Sequence, residues 1–157
     1  DEQKQNIINK LSYINIITSL DTFICDIILT KIIQDEESFN NFFNSIPPCK
    51  KKDEMTKLKE DNLVAQWEQK VIEYVMRTSY SNIDTIKDIL KELFKVSIID
   101  TNGKMKKHFY YRNLLAHRNG RKKDGGYINI TNEELKSLIT DTQSIAKQIQ
   151  TKIKPEH

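Results

Sequence analysis

The chain has 157 residues, of which 38% are hydrophobic and 30% are charged, and its formal net charge at pH 7 is +3. This balance excludes a disordered chain, and the length favours one domain over residues 1–157 with its own hydrophobic core. The 4 glycines and 3 prolines are too few for an all-β protein with many tight turns. The longest apolar stretch near the start, Phe23 to Leu29, is interrupted by Asp26 and is too short to span a bilayer.

The two cysteines, Cys25 and Cys49, form no CxxC pattern, and no cluster of His and Cys has the spacing of a zinc site. We therefore predict no metal and no cofactor. Free thiols are typical of a reducing compartment, so we also predict a cytoplasmic protein that does not bind a membrane.

The first part of the chain carries two helical patterns and a charged segment. Apolar residues at three- and four-residue spacing predict a long amphipathic helix over residues 4–34. A short helix is predicted over residues 38–44, and the pair Pro47 and Pro48 ends it. The segment 49–62 is charged and lacks an apolar stripe at its start, so we predict a mobile loop that grades into the next helix.

Two more helices are predicted in the middle of the chain. Apolar spacing predicts a second long helix over residues 63–76. Ser81, followed three residues later by Asp84, resembles a capping box that starts the next helix. The stretch from Asp100 to Gly103 has the composition of a turn.

The last two predicted helices complete the pattern. One runs from about Lys104 to Arg118, and Gly120 is placed to take the left-handed conformation just past its end. Thr131 and Glu134 form the strongest capping box in the chain and start the final helix. The predicted fold class is therefore all-α, an up-and-down bundle of four to five main helices.

The cations are concentrated in one stretch. Residues 104–123 contain eight Lys and Arg residues and no acid, so this stretch carries +8 and the remainder carries 3 − 8 = −5. A basic patch on an acidic body favours a polyanion partner, because clustered cations attract phosphates. The same cations also suit the C-terminal end of a helix. Charge alone therefore leaves a nucleic acid and a solvated helix end as alternatives.

Arg112, Asn113 and His117 surround a short apolar turn of the helix predicted there. At about 100° per residue, Asn113 and His117 share one face, so the amide of Asn113 is expected to orient the imidazole. Arg112 lies roughly 140° from His117 around the axis. The helix also has apolar residues on two sides, which predicts that one side packs in its own bundle and the other against a partner.

The string RNLLAH, residues 112–117, reads R-N-x3-H. With Tyr111 before it and Gly120 after it, the string resembles the RNxxAHxxG signature of HEPN domains, the higher eukaryotes and prokaryotes nucleotide-binding domains. The flanking helices that begin SNIDTIKDIL and ITNEELKSLI are also similar to that family. The resemblance covers roughly residues 63–153.

The resemblance implies a metal-independent endoribonuclease that works as a homodimer, with two R-x4-H motifs facing each other across one cleft. In-line attack by the RNA 2′-OH needs a proton acceptor, a proton donor and a cation beside the phosphorane. The implied roles are phosphate stabilisation for Arg112, proton transfer for His117 and orientation for Asn113. The candidate RNA contacts are Arg118, Arg121, Lys122, Lys123 and Tyr111. The resemblance also implies a toxin or antiviral-defence role, with an antitoxin or another protein inhibitor as a partner besides RNA.

Three alternatives stay open at this point. The first is a non-catalytic HEPN module that binds RNA, a nucleotide or a protein, and the second is an RNA-processing nuclease domain of a larger protein. The third is a plain helical scaffold in which Arg112 and His117 are internal ion-pair or capping groups. Cleavage assays, binding assays and melting temperatures of variants distinguish them.

Overall fold

A computed structural model describes residues 2–46, 49–78, 80 and 82–153. These residues form seven α-helices and one 3-10 turn, Thr101–Gly103, and contain no named strand. The helices are α1 (Glu2–Gln34), α2 (Glu36–Ser45), α3 (Lys50–Glu60), α4 (Val64–Arg77), α5 (Ile83–Phe94), α6 (Lys104–Arg118) and α7 (Asn132–Lys152). The predicted all-α fold is confirmed, and the predicted main helices correspond to α1, α4, α5, α6 and α7.

The prediction of a mobile loop over residues 49–62 is wrong, because α3 occupies most of this segment. Met55 is buried and Leu58 is half-buried three residues later, and α3 packs against α4. Charged side chains cover the rest of the helix. An apolar stripe of two residues is too short to stand out in such a charged sequence, and the packing on α4 stabilises the helix instead.

The start of α5 differs from the prediction by one residue. Asn82 is the N-cap, and its side chain accepts a hydrogen bond from the backbone N–H of Asp84 at 2.9 Å. The predicted cap, Ser81, lies outside the described residues, as do Pro47 and Pro48. The helix therefore begins one residue later than predicted, and the side chain of Asn82 satisfies one of its free N–H groups.

Side chains also fix the ends of two other helices. Thr131 and Glu134 form the predicted capping box at the start of α7. At the end of α2, Lys52 Nζ donates to the carbonyl oxygens of Asn44 (3.2 Å) and Ile46 (2.6 Å). Carbonyl groups at a helix end have no partner within the helix, so this lysine ties α3 to α2.

The central helix is α1, since α2, α4, α6 and α7 all pack against it. Its buried side chains recur at three- and four-residue spacing along one face. α7 lies along α1 in the same direction. Asn9 donates to Asn132 at 3.2 Å near the start of both helices, and Ile153 lies beside Ile27 further along. The first turns of α1 therefore lie at the end of the bundle where α7 begins.

α6 is packed on both of its apolar sides within the chain. Met105 and Phe109 are buried, and so are Leu114 and Leu115, which lie on other sides of the helix. The prediction that one of these sides is kept for a partner is therefore wrong. Full burial of such side chains stabilises the fold by about 1.5–3 kcal/mol each, so α6 is held firmly along its length.

The described part of the chain contains no helix with both the length and the apolar character needed to cross a membrane. Cys25 is half-buried in α1 and Cys49 is exposed before α3. Both are free thiols.

Gly120 and Gly103 bracket α6 and allow a matched pair of substitutions. Gly120 has φ +79°, and an added Cβ would lie 3.2 Å from Cδ2 of Leu115, whereas Gly103 has φ +65° and open space within 4 Å. Left-handed backbone strains alanine at both sites by about 1 kcal/mol. We expect Gly103→Ala to lower the free energy of unfolding by about 1 kcal/mol, and Gly120→Ala by about 2 kcal/mol because it also crowds the core. Urea unfolding measures both, and equal losses would contradict the tight contact.

Candidate functional site

Arg112, Asn113 and His117 lie at the C-terminal end of α6, around an apolar turn. Leu114 and Leu115 of that turn are each 7% exposed. Arg112 and Asn113 are half-buried, whereas His117 is exposed. The buried leucines fix the last turns of the helix, so the three polar side chains stand at the edge of the core.

Asn113 contacts Arg112 and not His117. Arg112 donates from Nη1 to Asn113 Oδ1 at 3.1 Å. In the described part of the chain, the expected hydrogen bond between Asn113 and His117 is not formed, and the imidazole has no hydrogen-bond partner. The Nε atom of Arg112 is buried and has no hydrogen-bond partner among the residues that the structure describes. An unpaired buried donor costs about 1–3 kcal/mol, and such costs are found most often at functional positions.

Asp21 of α1 is an acidic neighbour of Arg112. Burial raises the pKa of Asp21, while the charge of Arg112 and the backbone N–H of Tyr80 act in the opposite direction. The Oδ1 atom of Asp21 is buried and has no hydrogen-bond partner within the described ranges. A nearby carboxylate attracts a guanidinium, so Asp21 adds an electrostatic attraction to Arg112. Asp21 was not predicted as a site residue, and its only signal in the sequence is an acid within the helical pattern of α1.

A buried chain of hydrogen bonds crosses three helices, one turn before Arg112. His108 of α6 is 6% exposed and lies between Tyr13 of α1 and Asp141 of α7. Tyr13 Oη is 2.6 Å from His108 Nδ1, and His108 Nε2 is 3.1 Å from Asp141 Oδ2. Asp141 Oδ2 also accepts from Ser137 Oγ at 3.2 Å. One polar network therefore ties α6 to both of its neighbours.

The pKa shifts decide which atoms donate in this network. Burial raises the pKa of Tyr13, and neighbouring acidic groups add to the effect, so the phenol stays protonated. Burial alone would raise the pKa of Asp141, but hydrogen bonds from His108 and Ser137 and a nearby lysine outweigh it and lower that pKa. In a neutral imidazole, the hydroxyl of Tyr13 therefore donates to Nδ1, and the Nε2–H group donates to the carboxylate.

The sequence analysis did not single out His108, although its spacing carries a signal. His108 lies three residues after Met105 and seven before Leu115, which places a histidine between two apolar residues of one helical stripe. A histidine in such a stripe needs partners for both ring nitrogens. Those partners lie on other helices. The pattern therefore indicates that His108 needs hydrogen-bond partners, but it does not identify them.

We expect Asp141→Asn to lower the free energy of unfolding by about 1–2 kcal/mol at neutral pH, because His108 loses a charged acceptor. The pKa of Asp141 is lowered in the folded state from its ordinary value of 3.8. Its stabilising effect is therefore complete above that value and is lost as the pH falls through the folded value. Urea titrations from neutral pH to about pH 3 measure the difference from wild type, which should shrink in acid. The exposed Asp88→Asn is the control, and a difference that stays constant would contradict the assignment.

Two cations of the basic stretch are paired with acids on other helices. Lys104 Nζ is 3.6 Å from Asp141 Oδ1, and Lys106 Nζ is 2.7 Å from Asp84 Oδ2. Both lysines are exposed, so these ion pairs contribute little to stability, but they offset the positive charge. The basic patch is therefore smaller than the sequence implies and centres on the end of α6 and the residues that follow.

Residues 120–128 form a short hairpin that continues directly from α6, here called the basic hairpin. The backbone N–H of Ile128 donates to the carbonyl of Gly120 at 2.9 Å. Arg121 and Tyr127 pair in an isolated antiparallel bridge. Ile128 is 3% exposed, so the hairpin is anchored in the core at its base. Four of the candidate RNA contacts stand at the end of α6 or on this hairpin: Arg118, Arg121, Lys122 and Lys123.

The fifth candidate RNA contact, Tyr111, is half-buried in the chain itself. Its ring centroid is 6.5 Å from that of Tyr13, and Lys107 Nζ lies over the ring at 5.1 Å from its centroid. Phe109 is buried, whereas Tyr110 is 50% exposed. The aromatic ring that α6 presents to solvent is therefore mainly that of Tyr110.

An all-α bundle with R-N-x3-H at the end of an inner helix defines a HEPN-type domain. The chain belongs to the family described as RiboL-PSP-HEPN, whose family model matches residues 1–155. This match extends the similarity beyond residues 63–153 to the first three helices. No curated protein and no solved structure shows a significant match to the chain. Family membership supports a module of the RNA- and nuclease-related kind in general.

Proposed function

We propose that the chain is a metal-independent endoribonuclease that cleaves single-stranded RNA at a site shared by two copies. The observation that supports the proposal is the difference in contacts and exposure between Arg112 and His117. Arg112 is bound by Asn113 and lies near Asp21, while His117 is exposed and has no partner among the described residues. A positioned cation and a freely accessible proton carrier are the groups that RNA cleavage needs.

The proposed reaction uses the nucleophile that RNA itself carries. A base removes the proton of the 2′-OH group, and the 2′ oxygen forms a bond to the adjacent phosphorus. The bond from phosphorus to the 5′ oxygen breaks, and an acid donates a proton to that leaving oxygen. The products are a 2′,3′-cyclic phosphate and a 5′-hydroxyl. We assign charge stabilisation in the phosphorane to Arg112 and one of the two proton transfers to His117.

The second proton transfer leads us to propose a homodimer. α6 carries one exposed histidine, His117, since His108 is buried in its network. A two-fold axis would place a second copy of the motif opposite the first and provide both the acid and the base. Light scattering measures the oligomeric state, and the activity per chain should fall when dilution separates the dimer. A monomer that cleaves RNA with an activity per chain independent of concentration would contradict the shared site.

The proposed activity is tested on purified protein with a single-stranded RNA in EDTA. We expect cleavage with cyclic phosphate ends. We expect no cleavage of the same strand with methylated 2′-hydroxyls, because the nucleophile is blocked. Intact RNA after prolonged incubation, or equal cleavage of the methylated strand, would contradict the proposal.

We further propose that the enzyme acts in the cytoplasm as a toxin or antiviral-defence effector. Unrestrained RNA cleavage harms the cell that makes the enzyme, so an antitoxin or another protein inhibitor is the proposed partner. Expression of the wild-type chain should arrest growth, while expression of His117→Ala at the same level should not. Equal growth arrest by both chains would show that the toxicity does not come from RNA cleavage at His117.

RNA binding without cleavage is a second candidate function, and the basic hairpin favours it. We expect simultaneous Arg121→Gln, Lys122→Gln and Lys123→Gln changes to weaken RNA binding and to reduce the slope of log K against log salt by about 2, since each phosphate contact contributes roughly 0.7 for a single strand. Lys50→Gln, Lys51→Gln and Lys57→Gln on α3 make the same change in net charge elsewhere. Fluorescence anisotropy at several salt concentrations measures both triple variants, and equal losses would assign the effect to net charge alone.

A further inference from the structure

Two exposed tyrosines stand on either side of His117 along the chain, one on α6 and one on the basic hairpin. Tyr110 is 50% exposed and Tyr127 is 64% exposed. The other aromatic residues next to Tyr110 expose less surface: Phe109 is buried, and Tyr111 is half-buried, with its ring near that of Tyr13 and below Lys107 Nζ. The flat faces offered to solvent in this region are therefore those of Tyr110 and Tyr127.

Tyr110 and His117 lie on the same face of α6. They are seven positions apart, which at about 100° per residue leaves them within roughly 20° of each other around the axis. The rise between them is about 10 Å. A single strand covers that length in no more than about three nucleotides, at about 3.4 Å of rise or more for each. A strand that is bound at His117 and runs along α6 therefore reaches Tyr110 within a few nucleotides.

Tyr127 and Arg121 face each other across the basic hairpin. Side chains of directly opposed residues in an antiparallel pair project from the same face, with Cβ atoms about 4.5–5.5 Å apart. The side chains of Tyr127 and Arg121 therefore leave the hairpin on one face, with Lys122 and Lys123 next to Arg121 in the chain. A ring beside a cation is suited to hold one nucleotide, with its base on the ring and its phosphate on the cation.

We infer that Tyr110 and Tyr127 are stacking platforms for two bases of a single-stranded RNA, and that the backbone between those bases is bound at His117. The inference rests on the proposed function for the identity of the ligand. Bases of a duplex are already stacked and paired, whereas those of a single strand are free to lie on aromatic rings. The two platforms would therefore make the site selective for single strands, while the cations bind any phosphate backbone.

The inference is tested by the binding of a short, fluorescently labelled RNA whose 2′-hydroxyls are methylated, so that no cleavage interferes. We expect Tyr110→Ala and Tyr127→Ala each to raise Kd about 5- to 100-fold, the range that corresponds to one lost base stack. Tyr110→Phe and Tyr127→Phe keep the ring and should bind almost as wild type. Ile99→Ala removes a similarly exposed apolar side chain, 66% exposed, and should leave Kd unchanged.

Two further strands separate stacking from other causes. On a strand with the same phosphates but no bases, the alanine variants should bind as tightly as wild type, because no stack is left to lose. Duplex RNA should likewise bind equally to wild type and variants. The inference is overturned if the alanine variants bind the single strand as wild type does, if the phenylalanine variants bind as weakly as alanine, or if the baseless strand shows the same losses.

Failure of this inference and failure of the proposed function give different results. If unmethylated RNA is cleaved and KM is unchanged in Tyr110→Ala and Tyr127→Ala, the nuclease proposal stands and the stacking platforms are rejected. If RNA is not cleaved but the alanine variants lose affinity for the methylated strand, the nuclease proposal is rejected and the platforms stand.

Discussion

Replacement of His117 by alanine is expected to lower the rate of RNA cleavage by about 100- to 10,000-fold, the usual contribution of one positioned acid or base. His117 is exposed and has no hydrogen-bond partner within the described ranges, so the free energy of unfolding should change by no more than about 0.5 kcal/mol. Single-turnover cleavage of a labelled RNA and thermal unfolding measure the two effects. A variant that keeps wild-type cleavage would remove His117 from the mechanism.

Three variants at the same helix end complete the test, one at Arg118 as the control and two at Arg112. Arg118→Ala removes an exposed cation next to His117 in the chain and should weaken binding without a comparable loss of the rate at saturating RNA. Arg112→Ala should lower that rate by about 100- to 1,000-fold, because it removes charge stabilisation of the phosphorane. Arg112→Lys keeps the charge but lacks the planar fork that contacts Asn113, so we expect a partial loss. Full activity of Arg112→Ala would contradict the assigned role.

Replacement of His108 by alanine is expected to lower the stability of the fold, which replacement of His117 leaves nearly unchanged. It leaves the hydroxyl of Tyr13 and the carboxylate of Asp141 without their shared partner and opens a cavity where α6 meets α1 and α7. Each unpaired buried group costs about 1–3 kcal/mol, so we expect a loss of about 2–4 kcal/mol in the free energy of unfolding. Urea unfolding followed by circular dichroism measures it. A loss below about 0.5 kcal/mol would mean that the network adds nothing to stability.

A double-mutant cycle tests whether the network acts as a unit. Tyr13→Phe removes the donor to His108 Nδ1, and Asp141→Asn removes the charged acceptor of Nε2. Because both partners act through one imidazole, the loss in the double variant should differ from the sum of the single losses by about 0.5 kcal/mol or more. Additive losses would show two independent hydrogen bonds.

The two histidines together distinguish an enzyme from a helical scaffold. Both lie on α6, but His108 is 6% exposed and His117 is exposed. In an enzyme, His117→Ala loses activity and keeps stability, whereas His108→Ala loses stability first. In a scaffold in which His117 has a structural role, His117→Ala would lower the melting temperature.

The helices were predictable because the signals that produce them are local. The three- and four-residue apolar spacing of α1 and the capping box of Thr131 and Glu134 need only the residues nearby. α3 was not predictable in this way, because its apolar stripe is reduced to Met55 and Leu58. It is a helix because it packs on α4 and because Lys52 binds the end of α2.

The candidate site, too, was predictable where local signals suffice and unpredictable where they do not. The R-N-x3-H string could be read directly, and the structure carries it on α6 as expected. The hydrogen bonds of the motif residues could not be predicted, because both Arg112 and His117 lie within reach of the Asn113 side chain on the helix. In the folded chain α6 lies beside Asp21 of α1, and Asn113 accepts a hydrogen bond from Arg112 instead of contacting His117.

The all-α class, the HEPN-type motif and the cluster of cations around it follow from the order of the amino acids alone. Which of those cations stay available, and which histidine is buried, depends on how the helices pack. Lys106 is paired with Asp84, 22 residues away, and His108 is bound by Tyr13 and Asp141, 95 and 33 residues away. Local patterns arise from neighbours within about a turn or two of helix, whereas charge pairing and burial depend on groups that only folding brings together.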